Sequence, residues 1–416
     1  MAERRTKREI AMAVAGLAIV VAAVGPLALH WLTNPADQRM VDLDVYRSGG
    51  QAVLRGAPVY DFLTQPPQLL PFTYPPFAVL LAIPLALLPW AAAQWVWAGL
   101  ILFALTVTVR YAFRPLLQRF PGWAPVLTGI LVAVCAYPMP LRDQFRFGQV
   151  DVFLMAMCVA DCAAPRTRWP RGLLVGLATA IKLVPGVFII YFLVMGRRRE
   201  AVNAIAGAAV VSLGTFLLLP ADSADYWFGA LFDSERLGSN TATTNQSIRG
   251  MLLRAALPDS VAAVLWLACA ALIAWVGFRA ARRTARAGDE IGAIAIIGLV
   301  QVLVSPVSWI HHLAWLVVVL GALTGTGRRR KAFAFAVGVW LFYVLTIPWW
   351  GIDLLAYHIG PRPVGRVVQD AYGLGALALL FVFHRRRPSG AIPEPESESD
   401  RVDASRDEPR VGTLRS

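Results

Sequence analysis

The residues able to do chemistry in this chain stand at the ends of its apolar runs. The stretch "DLDVYRSGG" (42–50) places Asp42 and Asp44 a short distance past the first such run. Either the two acids are solvated in a loop or they face a substrate at a membrane surface. Being two apart, they would not share a face on a helix, whereas an extended or irregular segment could turn both to one partner. "RDQFRFGQVD" (142–151) carries Arg142 and Arg146, followed by Gln149 and Asp151. A guanidinium here can grip a phosphate through two parallel hydrogen bonds; alternatively Arg142 or Arg146 pairs with Asp143 or Asp151. Lys182 lies inside the apolar stretch 172–196. It either snorkels to water, meets a lipid phosphate as a point charge, or closes a structural ion pair. In "SPVSWIHH" (305–312), His311 and His312 can hydrogen bond a phosphate or sugar, bind a metal, or pack as a structural pair. No third ligand stands at a matching local spacing, so no metal is expected there. "TNQSIRG" (244–250) offers the amides of Asn245 and Gln246, which suit sugar hydroxyls, and Asn245-Gln246-Ser247 also fits an N-glycosylation acceptor.

The elements that position these residues follow from composition. Of 416 residues 57% are hydrophobic and 16% charged, mean hydropathy is +0.57, and apolar runs near twenty residues recur. Such a chain is an all-α polytopic membrane protein, with lipids as its surroundings. The net charge of +13 does not point to nucleic acid, because the basic residues are gathered in short clusters between apolar runs. Cys135, Cys158, Cys162 and Cys269 lie in or beside those runs without metal-ligand spacing and read as small core residues. "RRTKR" (4–8) precedes a first run that is long and lacks a clear small-residue cleavage site, so an uncleaved first span is expected.

Basic clusters at 4–8, 110–119, 166–171, 197–199, 279–286, 328–331 and 385–387 are placed in the cytoplasm by the positive-inside rule. That leaves 32–90, 141–149, 221–258, 306–312 and 351–367 external. Residues 172–196 have basic clusters at both ends, so the chain must enter and return, breaking near "IKLVPG" with Lys182 at the apex. "YPPFAVLLAIPLALLPW" (74–90) is predicted to be a helix lying in the external interface. The total is about twelve spans in one transmembrane domain over 1–384, within a plasma membrane and with both termini cytoplasmic. Residues 385–416, polar and proline-bearing, are expected to form a disordered cytoplasmic tail. The polar residues named above then converge on the external face, as the lining of a shared cavity would.

Six blocks carry a resemblance: "DLDVYRSGGQAVLRGAPVYD", "FTYPPFAVLLAIPLALLP", "FGQVDVFLMAMCVADC", "RWPRGLLVGLATAIKLVPGVFIIYFLV", "NQSIRG" and "SPVSWIHHLAW". In this order, across roughly residues 42–315, the chain resembles glycosyltransferase family 87. The resemblance implies a GT-C fold whose active site faces away from the cytoplasm. It implies a polyprenyl-phosphate-mannose donor, a lipid-linked or cell-envelope glycan acceptor, and no cofactor. Because that donor is β-linked and the product α-1,2-linked, it also implies inversion; with Lys182, Arg146 and the histidine pair able to clamp the phosphate, no metal is expected. By the same resemblance the acid of the first external loop is the catalytic base. Asp42 aligns best, and Asp44 would assist. Lys182, Arg146, Gln149, His311, His312, Tyr74, Asn245 and Gln246 are then the candidates for holding donor phosphate and sugar. The family's usual pattern has asparagine where Asp151 stands. Two alternatives remain open on sequence: a GT-C enzyme using another polyprenyl-phosphate sugar, and a transporter or flippase, which twelve spans with a broken hairpin would also suit.

Overall fold

The structure, a computed structural model, describes residues 2–35 and 38–386. Apart from Arg385 and Arg386, the expected tail lies outside the described residues. Among the described residues the chain is helical, with isolated bridges only at Leu63–Pro71 and Asn245–Trp309.

Helix α1 (Ala2–Thr33) is the first span. Two short helices follow, α2 (Val41–Leu54) and α3 (Pro76–Ala86), packed against each other. Helix α4 (Trp90–Ala112) has 23 residues, a length of about 35 Å. After the single turn and a half of α5 (Arg114–Arg119), α6 (Ala124–Ala136) and α7 (Met139–Phe147) meet at 83°. Pro138 and Pro140 fall at that corner, where each removes a backbone donor and blocks helical continuation. Next come α8 (Asp151–Ala163), α9 (Leu173–Ile181), α10 (Val187–Val194) and α11 (Arg198–Leu218). Short α12 (Pro220–Phe228) and α13 (Ile248–Arg254) lead to α14 (Asp259–Arg286), α15 (Glu290–Val304) and α16 (Leu316–Thr324). The chain closes with two bent pairs. These are α17 (Arg330–Val344) with α18 (Ile347–Ala356) at 47°, and α19 (Arg362–Gln369) with α20 (Ala371–Arg385) at 66°.

This is a polytopic helical membrane protein. Leu217 of α11 is 86% exposed and Val264 of α14 66%, and whole apolar faces of this kind require acyl chains rather than water around them. Four helices, α1, α4, α11 and α14, are long and apolar enough to cross a bilayer alone, and seven spans result if each bent pair counts as one. The expectation of about twelve counted α8, α15 and α16 as spans and α9 and α10 as the two short helices of a hairpin. They have only 8 to 15 residues each, where a bilayer asks for about 20. The innermost of them are walls of the bundle rather than lipid-facing spans. Residues 292–300 of α15 and all of α16 are buried, as a helix apolar on every side should be.

The break expected near "IKLVPG" is present. Lys182 caps α9 in an extended conformation, and a 3-10 turn, Val184–Gly186, separates it from α10. Both flanking basic clusters meet at one end of the bundle, because Asn203 Nδ2 donates to Arg171 O at 2.8 Å. Gly172 makes the approach possible: at φ +95° its position would drive a Cβ into the Glu200 carbonyl oxygen. Helix α9 thus leaves that end and α10 returns to it. Single cysteines at Arg168 and Arg198 should therefore react with an impermeant maleimide from the same side of sealed vesicles. Reaction from opposite sides would remove the hairpin and displace Lys182 from its place at the apex.

Candidate functional site

Asp42 is placed by a clamp between α2 and the α7–α8 turn. Met40, in a left-handed conformation before α2, donates its N–H to Arg146 O at 2.8 Å. Gly148 ends α7 at φ +70°, where a Cβ would stand 2.8 Å from Leu43 Cβ, and its carbonyl accepts from Trp97 Nε1 at 2.8 Å. A larger residue at 148 would push the turn off the helix. The clamp presents Gln149 to Asp42, whose carboxylate takes a side-chain hydrogen bond from it. Gln149 Oε1 faces the hydroxyls of Tyr46 and Tyr74 at 3.4 and 3.5 Å, so the amide nitrogen is the group left to donate.

Since residues 41–54 are helical, Asp42 and Asp44 diverge. Asp42 lies in the field of Lys182 and Asp151, whereas the charge acting on Asp44 is Arg47. Arg47 in turn donates to the carbonyls of Leu85 at 3.2 Å and Leu88 at 2.5 Å. One acid faces the cation cluster; the other lies in the field of Arg47, which fastens α2 to the end of α3. Burial pushes the Asp42 carboxyl up to about 7, against the opposing pull of Gln149 and Lys182. Burial also pushes the Tyr74 phenol up to about 12, with Lys182 opposing and Asp42 adding. Tyr74 is therefore a neutral donor beside an acid poised near neutral pH.

The cations and histidines form one cluster. Lys182 Nζ is 2.8 Å from Asp151 Oδ1, 3.1 Å from His312 Nε2 and 5.4 Å from the Tyr74 ring centroid. The structural ion pair that the sequence left open for Lys182 is thus formed with Asp151. His311 Nε2 and His312 Nε2 lie 3.6 and 3.7 Å from Asp151 Oδ2. Two braces hold the histidine turn: Gln144 Nε2 donates to His311 O at 2.8 Å, and Asn245 Oδ1 accepts from Ser308 N at 3.0 Å. A backbone hydrogen bond to Val307 engages the His312 ring. Its Nε2 is then the nitrogen left to accept from Lys182.

Sequence spacing offered no third ligand beside the histidine pair; the fold supplies one. Ligand atoms of Asp151, His311 and His312 lie within 4.8 Å of one another, close enough to share a metal ion. The Lys182 ammonium, however, already sits against Asp151 and His312. A divalent ion would have to displace it. Two buried atoms of this cluster, Asp151 Oδ2 and His311 Nε2, have no hydrogen-bond partner in the chain and are open to one from a bound molecule.

The other candidates are placed differently. Arg146 does not join the Lys182 cluster. Its guanidinium lies over the rings of Trp31 and Phe147, at 5.3 and 5.0 Å, and its charge acts on Asp143. Asn245 and Gln246 are fully buried, and both amides are spent on backbone. Asn245 Nδ2 donates to Asn240 O; Gln246 bonds Thr243 O, Gln369 O and Gly373 N. They pin the 239–247 loop beneath the histidine turn. Gln144 and Trp97, which fix that turn and Gly148, were not legible in the sequence; Gln144 reads there as one more polar residue of an external segment and Trp97 as an ordinary residue of an apolar helix.

A helical membrane protein that brings a near-neutral carboxyl, a buried ammonium and two imidazoles to one end of its bundle has the groups a lipid-phosphate sugar transferase needs. The model of glycosyltransferase family 87 matches residues 72–306, and the chain belongs to that family. It is 37% identical, over 80% of each chain, to a polyprenol-phosphate-mannose-dependent α-(1-2)-phosphatidylinositol mannoside mannosyltransferase of Mycolicibacterium smegmatis. To the mannosyltransferase of the same name from Mycobacterium tuberculosis it is 36% identical, over 82% of this chain and 84% of the other. A polyprenol-phosphate-mannose-dependent α-(1-2)-phosphatidylinositol pentamannoside mannosyltransferase of Mycolicibacterium smegmatis is 35% identical, over 80% of this chain and 82% of the other. No solved structure matches significantly. Family membership decides for a membrane glycosyltransferase over a transporter.

Proposed function

We propose that this protein transfers mannose from a polyprenyl-phosphate donor to a phosphatidylinositol mannoside, forming an α-1,2 linkage by one inverting displacement. The observation that carries the reading is the placement of Asp42 beside Gln149 and opposite Lys182, in a chain about one-third identical to enzymes named for that reaction. Asp42 removes the proton from the acceptor hydroxyl, which needs a carboxylate within about 3 Å of that oxygen. The hydroxyl oxygen attacks the anomeric carbon from the face opposite the phosphate, and the bond to the phosphate oxygen breaks. Lys182, with His311 and His312, meets the charge that gathers on the departing polyprenyl phosphate, where fixed cationic and hydrogen-bonding groups stabilise the transition state more than the ground state. Tyr74 and Gln149 orient Asp42 and the sugar. The site end of the bundle faces away from the cytoplasm, across the plasma membrane, and the basic end faces inward.

Purified protein supplied with polyprenyl-phosphate mannose and a phosphatidylinositol mannoside should release polyprenyl phosphate and give an α-1,2-linked product. A β-linked product would overturn single displacement, since two successive inversions retain configuration. Transfer should also persist in EDTA, because the Lys182 ammonium holds the place between Asp151 and His312 that a metal would need. Loss of activity in EDTA with recovery on adding back a divalent ion would make the Asp151, His311 and His312 set a metal site.

A further inference from the structure

At the end of the bundle opposite Asp42 lies a second cavity, of about 680 Å³. Helix α8 runs from Asp151 at the candidate site to Ala163 on the cavity wall, and α16 from just beyond His312 to Thr324. Helix α15 makes the same passage in reverse, from Glu290 at the cavity to Val304. Thirteen residues of α8 span about 20 Å, so the two sites share helices but no side chains.

Arg114, Arg328, Arg329 and Arg386 line this cavity, with Tyr111 and Leu323 among its less polar walls. Two acids also line it, and both are engaged. Asp289 Oδ1 accepts from Gly292 N at 2.8 Å, and Glu290 is held by Arg197 through bonds of 2.8 and 3.2 Å. Lys182 pairs with Asp151, Arg197 with Glu290 and Arg254 with Asp370; among the described residues none of the four cavity arginines is in such a pair. Like charges gathered around one space favour an anion among them. The rim is fixed in place: Arg386 Nη1 donates to Ala322 O at 3.0 Å and Arg119 Nη1 to Thr326 O at 3.2 Å.

We propose that this cavity binds the phosphate-bearing headgroup of an anionic phospholipid. Guanidinium matches phosphate geometry with paired hydrogen bonds, and basic pockets between helix ends at the membrane–water boundary are where such headgroups are captured. The volume is in the range of small-ligand sites, far larger than one inorganic phosphate needs, and the mixed walls suit a glycerol backbone as well as a charge. The proposal rests on the membrane character of the chain and not on the transfer reaction.

The test uses the full-length protein in a neutral maltoside detergent, titrated with short-chain phosphatidylglycerol, short-chain phosphatidylcholine or inorganic phosphate, with the unfolding temperature as readout. Phosphatidylglycerol should raise it and the other two should not. The Arg114→Gln/Arg328→Gln/Arg329→Gln variant should bind phosphatidylglycerol on the order of 100-fold more weakly. Should that variant not fold, Arg114→Gln and Arg328→Gln/Arg329→Gln, on separate elements, should each lose part of the affinity. An equal response to both lipids, or undiminished affinity in the variants, would sink the site. A response to inorganic phosphate matching that to phosphatidylglycerol would make the ligand a free phosphate. A response that appears only after deletion of residues 388–416, whose "EPESESD" (394–400) is acidic, would make that segment the occupant and overturn the lipid assignment.

Discussion

Asp42→Asn should lower sugar transfer by about 10²–10⁴-fold, the range a positioned general base contributes, while donor binding stays at the wild-type level. Asparagine has nearly the same shape and can still accept the hydrogen bond that Gln149 donates to Asp42, so the α2 clamp at Met40 and Gly148 is undisturbed. What is lost is the ability to take the acceptor proton. Asp44→Asn serves as the internal comparison. Asp44 feels Arg47 and not the Lys182 cluster, so its amide variant should keep most of its activity. Single-turnover transfer together with donor binding separates the two. An inactive Asp44→Asn beside an active Asp42→Asn would move the base by two residues and invert the reading of α2.

The same assignment fixes a pH dependence. The working form of Asp42 is the carboxylate, and burial holds its carboxyl up at about 7. Its proton must leave before it can serve, so kcat/KM should be low in acid and climb as pH rises through about 7, then level off. An unperturbed aspartate would give the same climb near pH 4. A profile for kcat/KM flat from pH 5 to 8, a window chosen as roughly that bracketing the shifted value, would show that no buried carboxyl of this kind titrates in the rate.

What the sequence made legible were features governed by local rules. Long apolar helices α1 and α4 announce themselves by length, and Pro185 with Gly186 marks the break that puts Lys182 at an apex. The divergence of Asp42 and Asp44 was open, because acids two apart part on a helix but can share a partner in an extended segment, and the helix that forms carries two glycines, Gly49 and Gly50. They are tolerated because α3 lies against them: a Cβ on Gly50 would stand 2.9 Å from the Ala82 carbonyl oxygen. Close packing overrode propensity there. Long-range partners were beyond local reading. Asp151 and Lys182 are 31 residues apart and Lys182 and His312 130 apart. Polar loops gave a false lead at Asn245 and Gln246 for the opposite reason. Amides suited to sugar hydroxyls are equally suited to backbone groups, and a buried loop without a ladder needs them for that.

Lys182→Ala should cut transfer by about 10²-fold or more, the usual cost of losing a fixed group at developing charge. The variant alone does not separate two roles, because removing the ammonium also leaves Asp151 as an unpaired, mostly buried carboxylate, and that too is destabilising. The pair must therefore be opened from both sides. Asp151→Asn keeps the side chain's shape and an oxygen that can still accept from Lys182 at the 2.8 Å contact while removing the negative charge, so this single change should leave transfer within a few-fold of wild type and should not weaken donor binding. The double variant Lys182→Ala/Asp151→Asn then decides. If the lysine serves only to neutralise Asp151, removing both charges together relieves the damage and activity returns. If the lysine meets the donor phosphate, the double variant stays as slow as Lys182→Ala, because nothing left in the cluster carries a permanent positive charge. His311 and His312 do not replace it, because burial disfavours their charged forms and Asp151→Asn removes the carboxylate that would help hold a proton on them. Persistent loss in the double variant, with a normal unfolding temperature, is the result expected for a phosphate contact; recovery would reduce Lys182 to a scaffold ion pair and shift the search for the donor's cation to the histidine pair and Arg146.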